Sequence, residues 1–383
     1  MAMRRTLGDA DVELSLGRKL LDMRWGLILV LCCVAAVGWA MLYSAAGGNM
    51  DPWASRQMVR FGGGVVLMLA VAVVDPRFWL RWAYLMYAVG ICLLVAVDLV
   101  GRNAMGAQRW LDLGIIQVQP SEVMKIALVL ALARYFHGLA DEDVRRFRWI
   151  LVPAAMTAFP MALVLKQPDL GTAMMLGLEG AAIFFLAGVA LRWFALAFIS
   201  AGAIMPLAWG MMHDYQRKRI TIFLDPESDP LGSGYHILQS KIALGSGGMF
   251  GKGFLEGSQA HLSFLPEKQT DFIFTALAEE FGMVGGLGLI GLYLLLVAYG
   301  YAIALRSGSH FGRLVGLGIT SMLFIYMFIN IAMVSGLVPV VGVPLPLVSY
   351  GGTAMLTLLI GFGFVLGVYI HRDVEIPRRG GAL

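Results

Sequence analysis

The chain has 383 residues, of which 59% belong to the apolar set AVILMFWYC and only 14% are charged, with a mean hydropathy of +0.76. Soluble domains are about 45–50% apolar and about 25% charged, so an ordinary water-soluble enzyme and a disordered chain are both excluded. The net charge of +4 carries no basic cluster beyond Arg217-Lys218-Arg219, so no nucleic-acid partner is expected.

A run of about 18 or more apolar residues can cross the ~30 Å hydrocarbon core as a helix. Ten such segments follow in order: 25–42, 58–74, 79–97, 121–137, 149–165, 172–189, 193–212, 281–304, 313–334 and 353–370. The expected fold is all-α, a polytopic membrane protein with ten transmembrane helices. One membrane domain covers 25–371, between cytoplasmic tails 1–24 and 372–383. The first segment is too long for the apolar core of a signal peptide and is expected to be retained. With the N-terminus inside, sixteen Lys and Arg residues fall in cytoplasmic tails and loops and five in short outer loops. That asymmetry predicts N-in and C-in. Cys32, Cys33 and Cys92 sit in apolar runs without metal-ligand or disulfide spacing, and read as small buried hydrophobes.

Polar residues collect on the outer side. In the first outer cluster, Gly106 to Lys125, Pro120 is placed for the first position of a helix. Glu122 and Lys125 then form an i,i+3 pair, which makes charge tolerable just inside a membrane. Lys125 and Arg109 are candidate donors to a pyrophosphate, and Trp110 suits an interfacial anchor. Gln167-Pro168-Asp169-Leu170-Gly171-Thr172 opens the sixth segment in a similar way.

The large outer loop, 213–271, joins segments seven and eight. Its glycine-rich stretch 232–257 interleaves Tyr235, His236, Gln239, Ser240, Lys241 and Lys252. Such backbone can cradle phosphate through its N–H groups, or form a flexible surface loop. It is not a Walker loop. Thr270 is positioned to cap a helix beginning at Asp271, a carboxylate at the membrane mouth. Glu279 and Glu280 lie deeper. Carboxylates at that depth need a polar cavity or a partner, and a water-accessible cavity near the outer helix ends is expected. One of the two could partner Lys125. The last outer loop, 338–353, contains Pro339, Pro344 and Pro346 and no charge, which suits non-helical backbone buried in protein or lining a cavity.

These stretches, in this order, closely resemble the SEDS family (shape, elongation, division and sporulation). The matching residues are GAQRWLDLG with QPSEVMK, QPDLGTA, KRITIFLDP with GSGYHILQSKIALGSGGMFGKGFLEGSQ, LPEKQTDFIFTALAEEFG, and GLVPVVGVPLPLVSYGGT. The glycine series and VGVPLPLVSYGGT look like the elongation branch rather than the division branch. One departure is Gln269, where family members commonly carry His.

The resemblance implies an inverting peptidoglycan glycosyltransferase that polymerises lipid II into β-1,4-linked glycan at the outer face of the bacterial cytoplasmic (inner) membrane. Asp271 matches the family's essential carboxylate, the candidate general base. Arg109, Trp110, Glu122 and Lys125 match residues lining the substrate cavity. Further candidate substrate contacts are Gln167, Asp169, Arg219, Gln239, Lys252, Glu267, Lys268, Ser349 and Tyr350. A divalent cation such as Mg²⁺ is the expected cofactor, with no organic cofactor and with metal ligands unassigned. Expected partners are lipid II, the growing strand and a class B penicillin-binding protein, a transpeptidase. The alternative is a lipid II flippase, although transporters usually show paired inverted repeats and midplane sites.

Overall fold

Each of the ten apolar segments forms a helix in the computed structural model, which describes residues 15–104, 107–112, 117–211, 217, 221–223, 225, 233–258 and 267–378. A short α1 (Leu16–Leu21) precedes α2 (Trp25–Ala45), α3 (Ala54–Val73) and α4 (Pro76–Val100). After a small β-structure come α5 (Pro120–His137), α6 (Asp141–Val144), α7 (Phe147–Lys166), α8 (Leu170–Leu186) and α9 (Leu191–Met211). The remaining helices are α10 (Ser233–Ser246), α11 (Ile273–Leu305), α12 (His310–Val334) and α13 (Gly352–Ile370). Seven of these, α2, α3, α4, α7, α11, α12 and α13, are long and apolar enough to cross a membrane. The apolar parts of α8 and α9 are shorter, and α5 is interrupted by Glu122, Lys125 and Arg134.

Three features correct the sequence reading. The chain is mostly helical but not all-α: β1 (Arg102–Ala104), β2 (Ala107–Asp112) and β3 (Gln117–Val118) form antiparallel ladders. Arg102 pairs with Trp110, and Leu111 with Val118. Strands of two to six residues are too short for a period-2 signal to register. The cysteines are not core residues, since Cys33 and Cys92 are exposed and Cys32 is half-buried. Helix α11 starts at Ile273 with Phe272 as its cap residue, so Asp271 lies in the preceding turn. The Thr270 hydroxyl donates to the Glu267 carbonyl instead of capping the helix.

Local chemistry explains the helix boundaries. Asp75 caps α4 by accepting from the Arg77 N–H at 2.7 Å, with Pro76 at the first position. Asp169 caps α8 through the Thr172 N–H at 3.1 Å. Helix α7 contains Pro153 and Pro160, and a proline lacks the N–H that would bond the carbonyl four residues earlier. Those two orphaned acceptors are Trp149 O and Met156 O. Tyr135 of α5 donates to the first and Tyr87 of α4 to the second, each at 2.8 Å. Neighbouring helices therefore supply the hydrogen bonds that hydrocarbon cannot.

Helix α12 stands at the centre, packed by α5, α8, α11 and α13. Contacts sort the loops to two ends. At one end, Lys19 donates to Val73 O at 2.9 Å, Arg24 lies over Tyr369, the Gly308 N–H donates to Arg372 O at 2.9 Å, and Arg378 pairs with Asp141. Both described termini therefore lie at that end. The charged and glycine-rich outer stretches gather at the other.

Helix α11 is broken at Gly282 (φ 66°, ψ −162°). A Cβ there would collide with the backbone of Gly251 and Met249, and one on Gly251 (φ 82°) would collide with the Glu280 carbonyl. Backbone runs against backbone at this crossing, and only glycine permits it.

Candidate active site at the outer helix ends

The turn 267–272 leads into α11 and presents Asp271, which is half-buried. Its main chain is anchored from two sides. On α12, the Asn330 amide donates to Asp271 O at 2.9 Å and to Val343 O at 2.7 Å. From the proline-containing loop, the Ser349 hydroxyl donates to Thr270 O, and the Tyr350 N–H to Gln269 O at 2.8 Å. The loop is fixed in turn: Gln57 of α3 donates to Ser349 O at 2.9 Å and Tyr293 donates to Pro346 O. Gly342 (φ 72°) flanks the carboxylate, because a Cβ there would stand 3.4 Å from Asp271 Oδ2. The expected non-helical backbone of this loop is thus present and buried, and it braces the Asp271 turn.

One helical turn below Asn330, Tyr326 marks a second polar group. Its hydroxyl donates to Glu122 Oε2 at 2.8 Å, and Lys125 contacts both Tyr326 and Glu122, the latter at 2.7 Å. Glu122 and Lys125 are buried, at 4% and 1% exposure. Glu179 of α8 is also buried, and neither of its carboxylate oxygens has a hydrogen-bond partner among the described residues. Residues 326 and 330 lie on one face of α12, so a single helix surface orients both the Glu122–Lys125 pair and the Asp271 turn.

A third group ties the hairpin to α8. Arg109 of β2 donates to Pro168 O at 2.7 Å and lies 3.5 Å from Asp169. Asp169 is already committed to capping α8, and Gln167 donates to Leu94 O at 2.9 Å. Trp110 is half-buried on β2. Lys268 and Tyr350 flank the Asp271 turn, and Tyr350 lies under the Arg60 guanidinium at 5.2 Å. Burial pulls the Lys268 ammonium below the ordinary lysine range. Glu267 is exposed on the same turn.

The glycine-rich stretch does not form a phosphate cradle or a free surface loop. Ser233–Ser246 is helix α10, with Gln239 half-buried and Ser240 bonded to Thr275 and Val334 O, both at 2.8 Å. The Lys252 and Gly253 N–H groups donate to Glu279 O and Glu280 O, at 3.0 and 3.1 Å. The Lys252 ammonium pairs with Glu279 at 2.6 Å, and Ser44 donates to Glu280. Protein donors therefore meet Glu279 and Glu280; a cavity near these helix ends, about 280 Å³, lies elsewhere, lined by Tyr326, Pro344, Pro346, Ser349, Gly351 and Met355. Lys125 finds its carboxylate on its own helix instead. Arg219 lies outside the described residues.

Sequence reasoning missed Asn330, Tyr326, Glu179 and Gln57. Asn330 and Glu179 carried a usable signal, a polar side chain inside an apolar span. Gln57 and Tyr326 carried none that distinguishes them from interfacial residues.

Comparison with known proteins places these elements in a family. The model of the FtsW/RodA/SpoVE family, described as cell cycle proteins, matches residues 20–374. The peptidoglycan glycosyltransferase MrdB of Escherichia coli K12 is 47% identical over 350 residues, covering 91% of this chain and 94% of that one. The peptidoglycan glycosyltransferase RodA of Treponema pallidum is 32% identical, covering 91% and 97%. Among solved structures, a chain of a peptidoglycan synthase complex that coordinates polymerisation and crosslinking superposes with a TM-score of 0.80. It is 34% identical, covering 91% of this chain and 98% of that one. The rod shape determining protein RodA of Thermus thermophilus gives 0.69 at 30% identity, covering 91% and 97%. With the family model matching residues 20–374 and a relative 47% identical over 91% of its length, this chain belongs to the FtsW/RodA/SpoVE family, the SEDS proteins.

Proposed function

We infer that this multi-pass membrane protein is a peptidoglycan glycosyltransferase that polymerises lipid II into β-1,4-linked glycan during cell elongation. Its ten helices all span the bacterial cytoplasmic membrane, with both tails inside and the Asp271 end outside. The observation that carries the reading is the bracing of the Asp271 turn by Asn330 and Ser349 at the outer end of a family-typical bundle.

In the reaction, the 4-hydroxyl of one disaccharide's GlcNAc attacks the MurNAc anomeric carbon of another chain. The C–O bond to undecaprenyl pyrophosphate breaks, the pyrophosphate leaves with the bond's electron pair, and the configuration inverts. Inversion calls for one base on the face opposite the leaving group. Asp271 takes the hydroxyl proton, a contribution worth about 10²–10⁴-fold. Its fixed main chain keeps the carboxylate from relaxing away from the acceptor. Lys125 and Arg109 each rest against a carboxylate, Glu122 and Asp169, so a departing pyrophosphate would compete with these partners for the cations. Among the described residues no three His, Cys, Asp or Glu side chains are grouped to hold a metal. The reading we favour is that a divalent cation such as Mg²⁺ would arrive on the pyrophosphate, its usual mode. The similarity to a chain of a synthase complex supports a class B penicillin-binding protein as partner.

The test is polymerisation of labelled lipid II by purified protein with its transpeptidase partner and Mg²⁺, wild type against Asp271→Asn. Polymer from wild type alone is expected. Polymer from both would remove Asp271 as the base, and polymer from neither, with lipid II crossing liposome membranes, would favour a flippase.

A further inference from the structure

The stretch 247–257 combines two properties rarely found together. Its backbone is bonded into the protein: besides the Lys252 and Gly253 bonds, Gly248 O and Met249 O accept from the Met283 and Val284 N–H groups at 2.9 and 3.1 Å. Gly251 N–H donates to Gly247 O, and Leu255 N–H to the Glu280 carboxylate. Its one cation, Lys252, is paired inward with Glu279 and Ser258. Yet its apolar side chains point outward, with Phe250 80% exposed, Met249 55% and Phe254 41%. A water-facing loop would show the reverse, polar groups outward and apolar groups in.

The level of this stretch follows from α11. Before the break at Gly282, residues 273–280 are all buried in protein; after it, Met283, Val284, Leu287, Leu294 and Leu295 are exposed. The 23 residues from Met283 to Leu305 rise ~34 Å at ~1.5 Å each, matching a ~30 Å hydrocarbon core. The break therefore sits at the outer edge of the core. Because Gly248 and Met249 are bonded to residues 283 and 284, Met249 and Phe250 extend the lipid-facing surface of α11 at that edge. Tyr43, Phe254 and Phe281 form a stacked and tilted aromatic group beside them, the residue class that settles at headgroup level.

We propose that residues 247–257 are a finger inserted into the outer leaflet, with Met249 and Phe250 among lipid acyl chains. The backbone bonds at Gly248, Met249, Gly251, Lys252 and Gly253 lower the cost of placing non-helical chain at the edge of the hydrocarbon. The inward Lys252–Glu279 pair keeps those two charges away from the lipid. The exposed Glu256 at the far end of the stretch lies at headgroup level rather than among acyl chains, and the finger fixes the height of the adjoining outer loop.

The test places a nitroxide on Phe250→Cys in a Cys32→Ala/Cys33→Ala/Cys92→Ala background, in full-length protein reconstituted into phosphatidylglycerol–phosphatidylethanolamine nanodiscs. Asn49→Cys, exposed in the outer α2–α3 connection, is the aqueous control. Collision with oxygen, which concentrates in hydrocarbon, is compared with collision by a water-soluble nickel chelate. At position 250, oxygen is expected to exceed the chelate several-fold, with a depth of ~5–10 Å below the headgroup boundary; at 49 the order reverses. Chelate access at 250 equal to that at 49 would overturn the proposal as an aqueous loop. Protection from both reagents would overturn it as a protein-covered surface.

Discussion

Replacing Asn330 by leucine keeps the volume of the side chain and removes both donors that hold the Asp271 turn. The costs of the two lost bonds differ. Val343 is buried at 3% exposure, so its abandoned carbonyl carries a desolvation penalty of ~1–3 kcal/mol. Asp271 is half-buried, and water can reach its carbonyl, leaving only a net bond loss of ~0.5–1.5 kcal/mol. Removing Asn330 Oδ1, which accepts no hydrogen bond among the described residues, offsets a small part. The sum is a destabilisation of ~1.5–4 kcal/mol. The kinetic effect is larger than a uniform loosening would give, because a ~1 Å misplacement of a reacting group costs ~10²-fold. Initial rates of lipid II polymerisation and thermal unfolding in detergent test both numbers. Asn330→Asp should be worse still, since its oxygens would face two carbonyls. A leucine variant with a wild-type rate and an unchanged melting temperature would refute the bracing role.

Other outcomes follow from the same geometry. Lys125→Met strands Glu122 in the bundle, and removing one partner of a buried pair costs ~3–5 kcal/mol. The double variant Lys125→Met/Glu122→Gln should recover the melting temperature without recovering polymerisation. Gly251→Ala and Gly282→Ala each drive a methyl into opposing backbone, so the yield of folded protein on size exclusion should collapse, while Gly62→Ala, with open space around it, should be neutral. Tyr87→Phe should cost up to ~1.7 kcal/mol, the upper range for a hydrogen bond between membrane helices, read as a lowered melting temperature; an unchanged value would mean Met156 O finds another donor. At the end that holds both described termini, the hydrogen bond and charge of Arg378 hold the Asp141 carboxyl below the ordinary carboxylate range. The folded value is the lower one, so the pair contributes fully above the unfolded carboxylate value of ~3.9 and is lost as pH falls through the depressed one. Both side chains are well exposed, so hydrogen exchange of residues 374–378 should rise only modestly on acidification, and also with salt.

Helix placement was legible in the sequence because hydrocarbon imposes a simple rule of length and apolarity. All ten segments became helices, and Pro120 took the first position of α5. Loop chemistry was less legible, for a physical reason. The glycines at 247 and 251 look the same whether they cradle a ligand or admit a neighbouring backbone, and the Ala278–Phe281 backbone that they pack against lies some thirty residues away. Lys252 and Glu279 likewise have no periodic relation. Asp271 drew notice as a carboxylate at the membrane mouth, and its expected role came from resemblance; its support by Asn330 and Ser349 depends on three segments meeting, which spacing along one helix does not encode.

The pairing of Glu122 with Lys125 on one helix bears on how the protein is made. Tyr326, which completes their hydrogen bonding, follows Lys125 by 201 residues. At ~5–20 residues per second, α5 waits on the order of 10–40 s after it leaves the ribosome before α12 exists. Two opposite charges three residues apart can neutralise each other throughout that interval with no outside partner. A lone lysine or glutamate there would reach the insertion machinery as an unmatched charge, at a cost below the ~2.5–3.5 kcal/mol of a helix centre because both positions lie near the start of α5. Carrying both charges on α5 thus spares the nascent helix that cost, and Lys125→Met should delay membrane insertion of the nascent chain as well as destabilise the product.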